Sequence, residues 1–406
     1  MTNQPVVVRA KTVITNENNV AQNAVTFDAL GRVEDGALAF EDGRVAWCGQ
    51  ASDIPQRYRS AELHEFPKCV VVPGLVDAHA HPLFAGDREP DFSARQRGEK
   101  PSLGMLYTVE QTRRAIDHPA DFWQYIERRL HLIAAHGTTT LETKTGYALH
   151  KPGEVELLDL IDAHKDQAGL PRLVATFLGA HALPPEFTNE TDFIDYLIDQ
   201  CLPFAKAHGA VYADAFCERG YFSPQATQRY LESARGHGLR LRVHCDEMSF
   251  GAAAEMAVRL PVDAVDHCNY IRPQDVAAIV ERNIVLVACP ATIAYLDLPQ
   301  HAPVREVISR GGTVALASDF NPGTSPCFNL QTVCYFGRKL FGLSAAQALY
   351  GVTRAAAQSL AMDAGTLRVG SSGDLVALRI DSPDEFGWQF GGNLAAAVYR
   401  KGVRIT

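Results

Sequence analysis

The sequence predicts an α/β protein, a (β/α)8 TIM-like barrel with a small β-sandwich domain built from both chain termini. Three observations carry that prediction. From about residue 70 onward, eight short apolar runs alternate with longer stretches of helical period. The chain before and after this region has strand-and-turn character instead. Histidines and carboxylates gather at the C-terminal ends of the apolar runs, where barrel enzymes place their chemistry.

Taken in order, residues 6–13 and 37–48 read as short strands, with turns at Gly31-Arg32 and Glu41-Asp42-Gly43. Barrel strands are expected at 69–78, 138–143, 173–180, 212–217, 240–244, 264–268, 284–289 and 313–318. Runs such as Val70-Val71-Val72 and Ile284-Val285-Leu286-Val287 are continuously apolar, as strands buried on both faces should be. Between them, 122–135, 155–168, 193–207 and 224–237 repeat apolar residues at three- and four-residue spacing and read as helices. Strand character returns at 365–379 and 397–405. The expected organisation is therefore a composite β-domain of residues 1–68 and 366–406 around a barrel of 69–365. An open, doubly wound sheet is the alternative with the same alternation.

Composition narrows the class. The 406 residues suffice for one large catalytic domain and a smaller one. A formal charge of −9 argues against a nucleic-acid partner, which needs a basic face. No apolar run approaches the ~20 residues that span a bilayer, so no membrane partner is expected. The opening Met-Thr-Asn-Gln-Pro lacks the pattern of a secretory signal. Nine scattered cysteines without a CxxC pair point to reduced thiols and a cytoplasmic protein. Cys245 and Cys268, though close to histidines, are expected only to fill the barrel wall.

The strand ends concentrate the chemistry. The first ends in Asp77-Ala78-His79-Ala80-His81, and residues two apart on a strand face the same way. The fifth ends at His244, the sixth at His267 and the eighth at Asp319. Singly, an HxH pair is more often incidental, a lone histidine is a hydrogen-bonded core residue, and Asp319 is a helix cap. Together they converge only in a barrel, where imidazoles and a carboxylate suit Zn2+ or Fe2+/Fe3+.

The run Val72-Pro-Gly-Leu-Val-Asp-Ala-His-Ala-His81 resembles the first-strand motif of the amidohydrolase superfamily. Longer motifs narrow this: His81-Pro-Leu-Phe-Ala-Gly-Asp-Arg88, Glu142-Thr-Lys-Thr-Gly-Tyr147, Leu178-Gly-Ala-His-Ala-Leu-Pro-Pro-Glu186 and Ser318-Asp-Phe-Asn-Pro-Gly-Thr-Ser-Pro326 resemble the imidazolonepropionase family. That resemblance implies hydrolysis of 4-imidazolone-5-propanoate to N-formimino-L-glutamate in histidine degradation. It implies His79, His81, His244 and Asp319 as ligands of one divalent metal, Zn2+ or Fe2+/Fe3+. It also implies Arg88, Tyr147, His181, Glu247, Asn321, Gly323 and Thr324 as substrate contacts. A propanoate tail independently calls for a bidentate cation, which Arg88 can supply unless it is only a surface partner of Glu89 or Asp91.

In this reading His267 polarises the carbonyl, Asp319 shuttles a proton to the leaving nitrogen, and Glu247 bonds the ring N–H or orients the water. Binuclear members of the superfamily carry a bridging lysine at the end of the fourth strand. Here that strand ends Phe216-Cys217-Glu218, while Lys144 belongs to the second strand, so one metal is expected unless Glu218 bridges. The expected partner is a small anionic cyclic amide, and a homodimer is open to a barrel of this type.

One segment departs from the family. Where it usually carries a Gly-Gly-Gly-Ile loop, this chain has Glu99-Lys-Pro-Ser-Leu-Gly-Met-Leu-Tyr107. A related cyclic amide or an aminated heterocycle is therefore the alternative substrate. A metal-free scaffold is the third reading, disfavoured because the ligand set is retained.

Overall fold

The computed structural model describes residues 5–406. In chain order its strands are β1 (Val6–Ile14), β2 (Arg32–Glu41), β3 (Arg44–Gln50), β4 (Glu62–Pro73), β5 (Leu75–Asp77), β6 (Thr138–Lys144), β7 (Arg172–Ala180), β8 (Tyr212–Cys217), β9 (Arg240–Cys245), β10 (Val262–His267), β11 (Val285–Ala288), β12 (Val314–Leu316), β13 (Leu375–Leu378), β14 (Ala395–Arg400) and β15 (Val403–Arg404). Strands β5 to β12 form one eight-stranded sheet in sequential order. Every pairing in it is parallel. The barrel closes beyond the strand ends, where His79 O accepts from Asp319 N (2.9 Å) and His81 N donates to Phe320 O (2.9 Å). Closure therefore passes through the segments that carry the first histidines and the last carboxylate.

The termini meet in a second, seven-stranded mixed sheet of order β15-β14-β13-β4-β1-β2-β3. Its edge hairpin, β2 to β3, turns at Asp42 and Gly43, both with positive φ. The predicted strand 37–48 is thus two strands, because that turn signal lies inside it.

The predicted first barrel strand, 69–78, is also two strands in two sheets. Residues up to Pro73 belong to β4, which pairs with β13 (Leu375 opposite Pro73), and only Leu75–Asp77 enters the barrel. Gly74 sits at the transfer, so close to β6 that a Cβ there would lie 2.2 Å from Thr139 Oγ1. Apolar periodicity could not reveal the break, since both sheets bury this stretch. The predicted helix 193–207 is likewise interrupted, its middle relaxing into a π-turn at Leu197–Cys201 before Pro203.

All nine cysteines are free, and seven are buried, Cys245 and Cys268 among them. No helix among the described residues is long and apolar enough to cross a membrane.

Candidate active site

The interior of the barrel beneath its C-terminal mouth is charged. Glu142 and Lys144 on β6, Asp214 on β8, Arg242 on β9 and Asp266 on β10 are all completely buried. Lys144 Nζ donates to Glu142 Oε1 (2.9 Å) and Asp214 Oδ2 (2.7 Å) and lies 3.5 Å from Asp266 Oδ2. The Arg242 guanidinium reaches Asp266 Oδ1 (2.9 Å) and Glu142 Oε1 (3.1 Å). Burial opposes the Lys144 charge, but Asp214, Glu142 and Asp266 outweigh it and hold its pKa above the ordinary lysine value. Burial alone would raise the Asp266 pKa; Arg242, His79 and Lys144 instead hold it below the usual carboxylate range.

The predicted ligands stand on this base. His79 Nδ1 donates to Asp266 Oδ2 at 2.8 Å, which turns Nε2 outward. His79 Nε2 and His81 Nε2 lie 3.2 Å apart, and each lies near Asp319 Oδ1, at 3.5 and 3.4 Å. The His244 ring is 4.5 Å from that of His79, with its Nδ1 3.0 Å from Asp214 Oδ2. Asp319 is in the left-handed region (φ 50°) and its Oδ2 accepts from Thr292 Oγ1 at 2.7 Å. Two ring nitrogens and a carboxylate oxygen thus face one another in a buried site. A cation between them is the electrostatic complement, and three imidazoles with one carboxylate suit zinc or iron. Donor atoms of His79, His81 and Asp319 fall within 4.8 Å of one another, as do those of His79, His244 and His267.

His267 also has left-handed backbone (φ 68°), and neither ring nitrogen has a hydrogen-bond partner. Burial pushes its pKa down to about 4, so the ring is neutral at physiological pH. Glu247 Oε1 lies 3.8 Å from His267 Nδ1. Burial, reinforced by the charges of Asp319 and Glu218, holds the Glu247 carboxyl well above the usual range. Glu218 itself turns away to the N–H of Met248 (3.0 Å) and to Ser249, and it joins none of the donor groups found among the described residues.

A cavity of about 230 Å3 opens over these groups. Among its walls are His81, His181, His244, His267, Glu247 and Asp319, and farther out Arg88, Tyr147, Asn321 and Thr324. His79 lies fully buried behind them. His181 donates from Nδ1 to Gly146 O at 3.0 Å and stacks on His81 at 5.2 Å. Burial and the His81 charge lower its pKa to about 3. Tyr147 is buried 5.2 Å from the His181 ring, and burial raises its hydroxyl pKa. Asn321 uses its side chain on its own turn: Oδ1 accepts from the N–H of Gly323 and Thr324 (both 2.8 Å), and Nδ2 donates to Asp319 O (2.6 Å). Gly323 is packed so closely that a Cβ would lie 2.2 Å from Arg88 Nη1.

Arg88 pairs with Asp91, its Nε and Nη2 each 2.8 Å from Oδ2, and also lines the cavity. The ion pair with Asp91 is therefore largely buried and stands at the cavity wall, not at the surface. Asp91 is fully buried and also accepts from the N–H of Ser102, Leu103 and Gly104 at 3.0, 2.9 and 3.1 Å. One carboxylate thus ties the departing segment 99–107 to Arg88, and Gly104 and Met105 of that segment wall the cavity. Sequence reasoning missed Arg95, which lines the same cavity and donates from Nη2 to Gly323 O at 2.8 Å. Asp91→Asn is expected to raise KM about 10-fold, as the charge-assisted hold on Arg88 weakens, with kcat little changed. Steady-state kinetics check this; an equal fall in kcat would show that the segment acts on the reacting bond.

The missed base residues, Asp214, Arg242 and Asp266, did leave a signal. Each is a charged residue inside a strand predicted to be buried on both faces, and Arg242 and His244 share one strand face.

The chain matches the amidohydrolase family model over residues 94–387. Imidazolonepropionase of Cupriavidus taiwanensis is 36% identical over 385 residues, covering 92% of this chain and 92% of that protein. Imidazolonepropionase of Shewanella amazonensis is 35% identical over 393 residues, covering 93% and 95%. Among solved structures, E. coli guanine deaminase superposes with a TM-score of 0.74 at 18% identity, covering 100% of this chain and 99% of that one. Atrazine chlorohydrolase from Arthrobacter aurescens, complexed with zinc, gives 0.71 at 17% identity, with 98% and 94% coverage. At such identities the structural likeness speaks for the fold alone.

Proposed function

The chain belongs to the amidohydrolase family and to its imidazolonepropionase branch, and we propose that it hydrolyses 4-imidazolone-5-propanoate to N-formimino-L-glutamate. The observation that carries this reading is that the His/Asp donor cluster and Arg88 open onto one small cavity. His79, His81, His244 and Asp319 would hold one divalent ion, zinc or iron, whose Lewis acidity makes a water nucleophilic near neutral pH.

The chain's own residues supply the rest. Arg88 binds the propanoate carboxylate through the guanidinium N–H groups that Asp91 leaves free. The neutral His267 ring donates an N–H to the carbonyl oxygen as negative charge develops there. The Asp319 carboxylate takes a proton from the attacking water and passes it to the ring nitrogen as the C–N bond breaks. Glu247 faces the ring N–H, and His181 and Tyr147 close the wall.

The test follows the ultraviolet absorbance of freshly generated imidazolone-propanoate. Metal-replete protein is expected to consume it and form formiminoglutamate, and chelated protein to leave it at the spontaneous rate. No turnover by protein carrying stoichiometric metal would assign another ring substrate. The placement of Met105 in the cavity wall favours that second reading, and hydantoins, lactams and aminated heterocycles would then be assayed.

A further inference from the structure

We infer that Lys144 is a positioning residue of the metal centre, its buried ammonium locking the two carboxylates that aim His79 and His244. The inference rests on the reading of those histidines as metal ligands. The residue does not line the cavity, and its Nζ hydrogen-bonds to Glu142, Asp214 and Asp266.

Nζ bridges Asp214 Oδ2 and Asp266 Oδ2, at 2.7 and 3.5 Å. The same two oxygens face the imidazoles, Asp266 Oδ2 at 2.8 Å from His79 Nδ1 and Asp214 Oδ2 at 3.0 Å from His244 Nδ1. One ammonium therefore sets the separation of two carboxylates arriving from different strands, β8 and β10. Asp266 fixes the tilt of the His79 ring, which follows β5, through a hydrogen bond, and Asp214 stands 3.0 Å from Nδ1 of the His244 ring on β9. Glu142 Oε1, 2.9 Å from Nζ, is the third carboxylate on the ammonium, and its other partners are Thr176 and Arg242.

With Arg242 the group has two cations and three carboxylates, so it presents one net negative charge behind the imidazoles. A charge-only role and a positioning role then predict opposite results. Removing a positive charge near a dication should tighten metal binding. Releasing two carboxylates that orient ligands should weaken it, by about 10- to 100-fold for such partners.

Zn2+ affinity is measured by competition with a chromophoric chelator for the native protein, Lys144→Met and Lys144→Met/Glu142→Gln. The double variant restores the net charge while keeping Asp214 and Asp266, so it serves even where the single variant fails to fold. About 10- to 100-fold weaker Zn2+ binding in the double variant, with altered visible bands of the Co2+-substituted protein, is the expected result. Native-like affinity and bands in the double variant, or tighter binding in the single one, would overturn the positioning role. Native protein that fails to bind Zn2+ would instead overturn the ligand reading beneath it.

Discussion

Asp319→Ala is expected to lower kcat/KM by at least about 10^4-fold while the protein stays folded. General acid–base catalysis alone is worth about 10^2- to 10^4-fold, and this carboxylate has a second task. Its Oδ1 is the oxygen beside both His79 Nε2 and His81 Nε2, so its loss opens the donor set as well as the proton path. The stability cost is small by comparison. Alanine tolerates the left-handed backbone at this position (φ 50°) less well than aspartate, by about 1 kcal/mol. Thr292 loses one hydrogen bond, and the backbone link from Asp319 N to His79 O does not involve the side chain. Circular dichroism and bound metal, measured with kcat, separate the two effects. Residual turnover above about one per cent of native would move the proton transfers to another group, Glu247 or His267.

The second large effect is on stability. Arg242→Met should destabilise the fold by about 3–5 kcal/mol, the cost of breaking a buried ion pair from one side. Arg242 is completely buried and donates to Ser359 O (3.0 Å), Ala78 O (2.8 Å) and Asp266 Oδ1 (2.9 Å). Its removal leaves two carbonyls without that donor and Asp266 and Glu142 with only Lys144 between them. Denaturant unfolding reads the loss directly. A change under about 1 kcal/mol would mean that water or a shifted Lys144 replaces the guanidinium, contrary to the packing seen around it. The surface pair Arg368–Asp363, half-exposed on both sides, is the contrasting case, and its removal should cost under about 1 kcal/mol.

Much of this protein was open to inspection in one dimension. Eight apolar runs separated by helical periods sufficed for the barrel, because burial on both faces of a parallel strand leaves a compositional trace. The HxH pair was legible from the two-residue repeat expected of a strand, although β5 itself ends at Asp77 and the pair lies in the segment that follows it. His244, His267 and Asp319 were found by the same rule, applied to the ends of runs. Arg88 and a pairing with Glu89 or Asp91 could be named, but not which partner it takes or where, since three residues of spacing do not say whether a pair lies at the surface or in a cavity wall.

What only the tertiary structure decided is where charges from different strands meet. Lys144, Asp214, Arg242 and Asp266 are far apart in sequence, and each taken alone reads as an interruption of an apolar run. Barrel closure brings them within hydrogen-bonding distance, and burial then obliges them to pair, because an isolated charge in that interior would be too costly. The same holds for Asp91, whose tie to Ser102, Leu103 and Gly104 carries a segment without periodicity into the cavity wall. It holds as well for the division of the first predicted strand at Gly74. There the apolar pattern runs on unbroken, and the choice of sheet is made by which strands stand beside it.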